Sequence, residues 1–228
     1  ANIQPAMEKG DFDLYPEYTG TGWSLVLKEG GTYTEDHFED LQQQYKDQYK
    51  MEWVGMYGFN NTYSLAVRKE IADQYHLKTF SDLQPVADKL MFGGNYDFFE
   101  REDGYQSLCK TYNLKFKGTM DLDIGLKYQA INEGKIDVMS IYTTDGQLST
   151  ANVTVLEDDR HLYPSYMCGN VVRQEVINKH PQLLNVLKKL TGKISDQQMA
   201  QMNNQVETEG KEPRDVAENF LKSAGLLR

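Results

Sequence analysis

The chain has 228 residues and a formal net charge of −10, from 34 acidic against 24 basic side chains, with no basic block among them; phosphate neutralisation needs a basic face, so nucleic acid is excluded as a partner. Its 39% hydrophobic and 25% charged residues are those of a globular protein, long enough for one large domain or two lobes of roughly 100 residues each. No apolar run approaches the roughly 20 residues of a membrane helix.

An acidic envelope biases long-range attraction mildly toward cations, although a solvated surface is the simpler account of it. The four histidines, His37, His76, His161 and His180, are scattered. That spacing supports neither a zinc site nor a histidine-based triad, and no cofactor or metal is expected. Cys109 and Cys168 are isolated and are expected to be two thiols buried apart rather than one disulfide. Neither a signal peptide nor a lipid-attachment cysteine stands at the start, which leaves the compartment open.

From Ala6 the chain runs AMEKGDFDLYPEYTGTG. It reads as a helix closed by Gly10, a short strand opened by Asp13, and a Tyr-Thr turn with glycine. Two bulky, half-polar rings here, Tyr15 and Tyr18, point to contact with something other than the core. Segment 51–70, MEWVGMYGFNNTYSLAVRKE, reads as a strand, a Gly/Asn turn and a long strand over 63–67. In 89–113, KLMFGGNYDFFEREDGYQSLCKTYN, a strand and a glycine turn lead to a helix starting near FEREDG. From Ala130, AINEGKIDVMSIYTTDG repeats the opening pattern: Ala6, Gly10, Asp13, Tyr18, Thr19 and Gly22 recur in register as Ala130, Gly134, Asp137, Tyr142, Thr143 and Gly146. Segment 152–176 gives two strands around a Tyr/Pro loop. Helical patterns follow over 181–190, 195–206 with Ser195 as N-cap, and 213–221.

A helix-strand unit used twice implies an α/β fold with parallel strands, in which ligands bind beyond the strands' carboxyl ends. No linker separates domains, so two lobes are expected to be joined by strands crossing near Ala66 and again near Gly146.

Fifteen tyrosines are many for this length. Tyr15, Tyr18, Tyr63, Tyr142, Tyr163 and Tyr166 fall in predicted loops or strand ends beside glycine or proline. Each alone reads as a packing ring with a wet hydroxyl; several together fit a cation. A tyrosine face attracts a cation within about 6 Å of the ring centre, and a desolvated contact contributes about 2 kcal/mol or more. A quaternary ammonium, with no N–H to donate, suits such faces. Arg101 in FFEREDGY is the candidate for a carboxylate at the ligand's other end, against a surface pair with Glu100, Glu102 or Asp103. Asn61 and Thr62, and Thr143, Thr144 and Asp145, offer orienting groups or simple turn caps. No nucleophile elbow surrounds Ser24, Ser64, Ser140 or Ser149, and the GTGW and MFGGN turns lack a phosphate-loop ending, so an enzyme is not expected.

DLYPEYTGT, the GFNNTYSLAVR turn and strand, IYTTDGQL, and LEDDRHLYPSY followed by a VVR strand resemble the substrate-binding proteins of osmoprotectant ABC importers, the glycine betaine, carnitine and choline family. The resemblance covers essentially the whole chain. It implies a type II periplasmic-binding-protein fold, an α/β architecture of two lobes closing on ligand like a hinge: lobe 1 from 1–65 plus 147–228, lobe 2 from 66–146. It implies a tyrosine cage of Tyr15, Tyr63, Tyr142 and Tyr166 around a trimethylammonium, Arg101 on a carboxylate, and Tyr18 beside the cage, with Asn61 and Thr144 orienting. The implied protein is an extracytoplasmic, monomeric receptor, anchored as a lipoprotein, fused to a permease or free in a periplasm, that delivers its solute to an ABC permease. The family also carries a strand and helix ahead of GDFDLY, to be supplied by preceding chain or by another segment.

Overall fold

The computed structural model describes residues 3–101 and 103–227. Its eleven α-helices and eight strands among those residues are α1 (Ile3–Lys9), β1 (Leu14–Tyr18), α2 (Thr19–Thr21), α3 (Phe38–Gln44), β2 (Met51–Val54), β3 (Tyr63–Arg68), α4 (Lys69–Tyr75), β4 (Met91–Gly94), α5 (Tyr96–Glu100), α6 (Tyr105–Tyr112), β5 (Gly118–Asp121), α7 (Ile124–Asn132), β6 (Val138–Tyr142), β7 (Val153–Leu156), β8 (Cys168–Arg173), α8 (Gln174–Lys179), α9 (Gln182–Leu187), α10 (Asp196–Glu207) and α11 (Pro213–Ser223). Helix α10 opens on Ser195, the expected N-cap, and Gln198 completes a capping box with it. The helix expected near FEREDG is two helices, α5 and α6. They are separated at Gly104, where an added Cβ would stand 2.0 Å from the Phe98 carbonyl oxygen.

The chain divides into two units. One runs to Asn61 and resumes at Pro164; the other is Thr62–Tyr163. The return lies later than the Gly146 crossing expected from the sequence, because β7 pairs with β3 and so belongs to the second unit.

The first unit holds a sheet of order β1-β8-β2, with both pairings antiparallel. Its two faces are covered separately. Trp53 and Val171 pack with Met7, Trp23, Leu41 and Tyr45, whereas Val54 and Val172 pack with Val176 and Ile177, as the strand's period of two requires.

The second unit holds a sheet of order β5-β4-β6-β3-β7. Leu65 and Val67 face a core with Phe80, Phe92, Leu108 and Tyr112, while Ala66 faces Tyr128, Ile131 and Met139. The expectation of parallel strands holds only for β4 with β5 and with β6; β3 runs antiparallel to β6 and β7. The parallel strands are those linked through the helical crossovers α5, α6 and α7, as parallel pairing demands. β3 follows from the first unit with no crossover helix before it, so nothing holds it to that direction.

The repeat goes further than the helix-strand pattern. Gly10 (φ +85°) and Gly134 (φ +70°) close α1 and α7 in the left-handed region. Arg173 at the end of β8 donates to Asp13 at 2.7 Å, and Arg68 at the end of β3 to Asp137 at 3.4 Å. Register repeats as well. Val172 faces Leu14 and Arg173 faces Met51 in one sheet; Val67 faces Val138 and Arg68 faces Val153 in the other. β1 therefore corresponds to β6, β8 to β3 and β2 to β7. The counterpart of β6 has no equivalent of β4 beside it among the described residues.

Candidate ligand-binding site

In the second unit, β3 begins where β6 ends, and the antiparallel register sets Tyr63 opposite Tyr142. Their rings stack with centroids 4.6 Å apart at 29°, and the Tyr142 hydroxyl donates to the Tyr63 hydroxyl at 2.8 Å. Tyr63 is buried and also packs on Phe98 and Tyr163, at 5.3 and 5.5 Å between centroids. Desolvation, then the hydrogen bond with Tyr142, push the Tyr63 phenol above its ordinary range; the nearby Arg101 charge pulls the other way.

Arg101 follows α5 and brings its guanidinium carbon to 5.8 Å from the Tyr63 ring centroid, a cation–π distance. Its Nε and Nη2 donate to the two carboxylate oxygens of Asp103, each at 2.7 Å. Of the surface partners considered for Arg101, Asp103 is thus engaged, and Glu102 lies outside the described residues. Thr144 is buried in the turn after Tyr142. That turn is tied to the start of β3 by the Thr143 amide on the Thr62 carbonyl at 3.0 Å and the Thr62 amide on the Thr143 hydroxyl at 3.1 Å.

In the first unit, DLYPEYTGT forms β1 and the helical turn after it. Tyr15 is buried against Tyr45 and Trp53, and its hydroxyl donates to Glu17 at 2.9 Å. The other Glu17 oxygen accepts the Tyr18 amide at 2.7 Å. Burial raises the Glu17 carboxyl above its ordinary value, against the lowering effect of these two hydrogen bonds. The Tyr18 phenol is raised chiefly by burial and lowered by a hydrogen bond with the Asn61 side chain. The Asn61 amide donates to the Tyr166 carbonyl at 3.1 Å, and the Tyr166 amide to the Asn60 side chain at 2.7 Å. Gly20 makes room for the Tyr166 ring: a Cβ there would lie 2.8 Å from its Cε1.

The predicted residues therefore gather in two sets. Tyr63, Tyr142, Arg101 and Thr144 cluster at the strand ends of the second unit, and Tyr15, Tyr18, Asn61 and Tyr166 around the β1 exit of the first. Sequence reasoning did not single out Glu17, Phe98 or Lys127. For Glu17 the signal was present, since it sits two residues from Tyr15 on a strand and hence on the same face. Among the described residues no cluster of three or more potential ligands could hold a metal ion, and no helix is long and apolar enough to cross a membrane. Both cysteines are free thiols.

A solved structure 36% identical to the chain superimposes with a TM-score of 0.93, and the fold is that of the type II periplasmic-binding class of solute receptors. Residues 1–223 match the model of a family described as the substrate binding domain of ABC-type glycine betaine transport systems, and the chain belongs to that family. The family consists of solute-binding domains rather than enzymes. The chain is 44% identical over 225 residues to the ergothioneine transport permease/ergothioneine binding protein EgtU of Helicobacter pylori, covering 99% of itself but only 40% of that relative. It is 36% identical over 222 residues to the carnitine transport binding protein OpuCC of Listeria monocytogenes, covering 95% of itself and 71% of the relative. The superimposed structure is a crystal structure of a glycine betaine/carnitine/choline ABC transporter protein, matched over 98% of this chain and 83% of that one. Substrate-binding domains of ABC importers act outside the cytoplasm.

Proposed function

We propose that this chain captures a quaternary-ammonium solute and hands it to an ABC permease. The observation that carries the reading is the Tyr63–Tyr142 pair with a guanidinium already over the Tyr63 ring: a π surface that accepts a cation, beside an arginine that accepts a carboxylate. Tyr15, Tyr63, Tyr142 and Tyr166 bind the trimethylammonium head, Arg101 the carboxylate, and Asn61, Tyr18 and Thr144 orient the solute. The names of the two relatives support a betaine, since ergothioneine and carnitine both carry a trimethylammonium and a carboxylate. The H. pylori relative, named as permease and binding protein together and much longer than this chain, supports a receptor joined to its permease; a lipid-anchored or free receptor would bind by the same chemistry. The receptor acts as a monomer.

Isothermal titration calorimetry with ergothioneine, carnitine, glycine betaine and choline, with glycine as control, tests the reading. Binding of at least one trimethylammonium compound, weakened about thirtyfold or more in Tyr63→Ala and Tyr142→Ala, is the expected result. Silence with all four would overturn it.

A further inference from the structure

Helix α7 carries a lysine that the binding reading does not use. Lys127 is 1% exposed, and its Nζ donates to the Ser140 carbonyl at 2.6 Å. Ser140 lies one residue beyond the last pairing of β6 with β4, Gly93 with Met139, and β4 itself ends one residue on, at Gly94. The lysine thus fastens β6 where its parallel neighbour leaves it. The next residue on the helix, Tyr128, is also buried and donates its hydroxyl to Asp145 at 3.0 Å. The same Asp145 oxygen accepts the Tyr142 amide at 3.2 Å. Two consecutive residues of α7 therefore hold the two ends of the Ser140–Ile141–Tyr142 segment, one directly and one through a carboxylate.

Packing alone does not explain a lysine here. Methionine has nearly the same length without a charge to desolvate, and replacing buried charges by apolar residues of similar volume is often neutral or stabilising. What methionine lacks is a donor for the Ser140 carbonyl and a countercharge for Asp145. Asp145 is raised by burial and pulled back down by the Lys127 charge, so the two side chains share one electrostatic setting.

We infer that Lys127, acting with Asp145, is a positioning residue that fixes the orientation of Tyr142 at the end of β6 and thereby sets affinity for the ligand's cationic head. This rests on the reading of Tyr142 as a ligand-binding residue. The role differs from general stabilisation because it is local: it bears on the last residues of β6, Ser140 to Tyr142, which pair with β3 on one side only, whereas Val138 and Met139 are held by β4 and β3 on either side.

The test compares wild type, Lys127→Met, Asp145→Asn and the double variant by amide hydrogen exchange and by titration with tetramethylammonium and glycine betaine. In Lys127→Met the Tyr142 amide is expected to exchange about tenfold faster or more, while Val138 and Met139 stay within about twofold of wild type, and both ligands should bind about tenfold more weakly. The double variant, relieved of both buried charges, is expected to regain the wild-type melting temperature without regaining Tyr142 protection or affinity. It carries the same comparison should Lys127→Met fail to fold alone. Tyr142 exchange within twofold of wild type, or uniform acceleration from Val138 to Tyr142, would overturn the inference. If wild type binds neither ligand, the binding reading fails by itself, and the exchange pattern still decides whether Lys127 positions Tyr142.

Discussion

Tyr142 stacks on Tyr63 with ring centroids 4.6 Å apart and joins it through a 2.8 Å hydroxyl–hydroxyl hydrogen bond. The two rings are brought together by register rather than by sequence proximity: each is the terminal residue of its strand, and the strands run antiparallel. Ring and hydroxyl make separable contributions. Tyr142→Phe keeps the π face and removes a hydrogen bond whose net value is about 0.5–1.5 kcal/mol, so it should weaken trimethylammonium binding by less than about tenfold. Tyr142→Ala removes the face itself and should cost about 2 kcal/mol or more. Calorimetry on the two variants checks the order; equal losses would assign the effect to the hydroxyl alone.

Arg101 separates ligands with a carboxylate from those without. Its guanidinium is held by a bidentate pair with Asp103, and such forks bind carboxylates with geometric selectivity that lysine does not match. Arg101→Met is therefore expected to weaken glycine betaine and carnitine by about tenfold or more, a charge-assisted hydrogen bond contributing about 1.5–3 kcal/mol, and to leave choline within about twofold. Arg101→Lys should recover only part of the loss. Competition titrations of betaine against choline read this directly, and parallel losses for both would remove Arg101 from carboxylate recognition.

The repeated glycine corners predict matched stability effects. Gly10 and Gly134 both have positive φ, and a Cβ on them would come to 3.1 and 3.0 Å from the Nη1 of Arg173 and Arg68 respectively. Alanine at either position meets a backbone penalty of about 1–2 kcal/mol and crowds an arginine that pairs with the strand-opening aspartate. Gly10→Ala and Gly134→Ala should each lower the urea midpoint, whereas Gly30→Ala, with nothing near its Cβ, should leave it nearly unchanged.

These corners also mark what could be read from the chain before its fold was known. Gly10 and Gly134 announce helix ends by residue type, Asp13 and Asp137 announce strands, and a local pattern is enough for both. The tyrosines were legible for the same reason: Tyr18, Tyr63, Tyr142 and Tyr166 stand where turns favour small residues, so their size is conspicuous. The partners were not. Arg68 and Arg173 reach aspartates far along the chain, and strand direction depends on which strands become neighbours, so the antiparallel run of β3 had no local signal. Lys127 was hidden by its type, because a lysine in a short helix reads as a solvated residue until the Ser140 carbonyl beside it is seen. Arg101 had several acidic neighbours, and only geometry selects Asp103.

Glu17 gives the chain a pH dependence of definite sign. Its carboxyl is raised by burial, with the Tyr15 and Tyr18 hydrogen bonds opposing the shift. An acid held above its unfolded value, about 4.3 for glutamate, binds its proton more tightly in the folded state. Linkage then makes stability fall as pH rises from the unfolded value through the folded one, and the lost increment stays lost above it. Glu17→Gln keeps an acceptor for the Tyr15 hydroxyl and removes the titration. Urea unfolding of wild type and Glu17→Gln across pH 4 to 8 is therefore expected to show the variant gaining on wild type as pH rises through that window and then holding a constant lead. If the lead instead grows as pH falls, the two hydrogen bonds dominate over desolvation, and Glu17 is a stabilising carboxylate rather than a strained one beside the tyrosines.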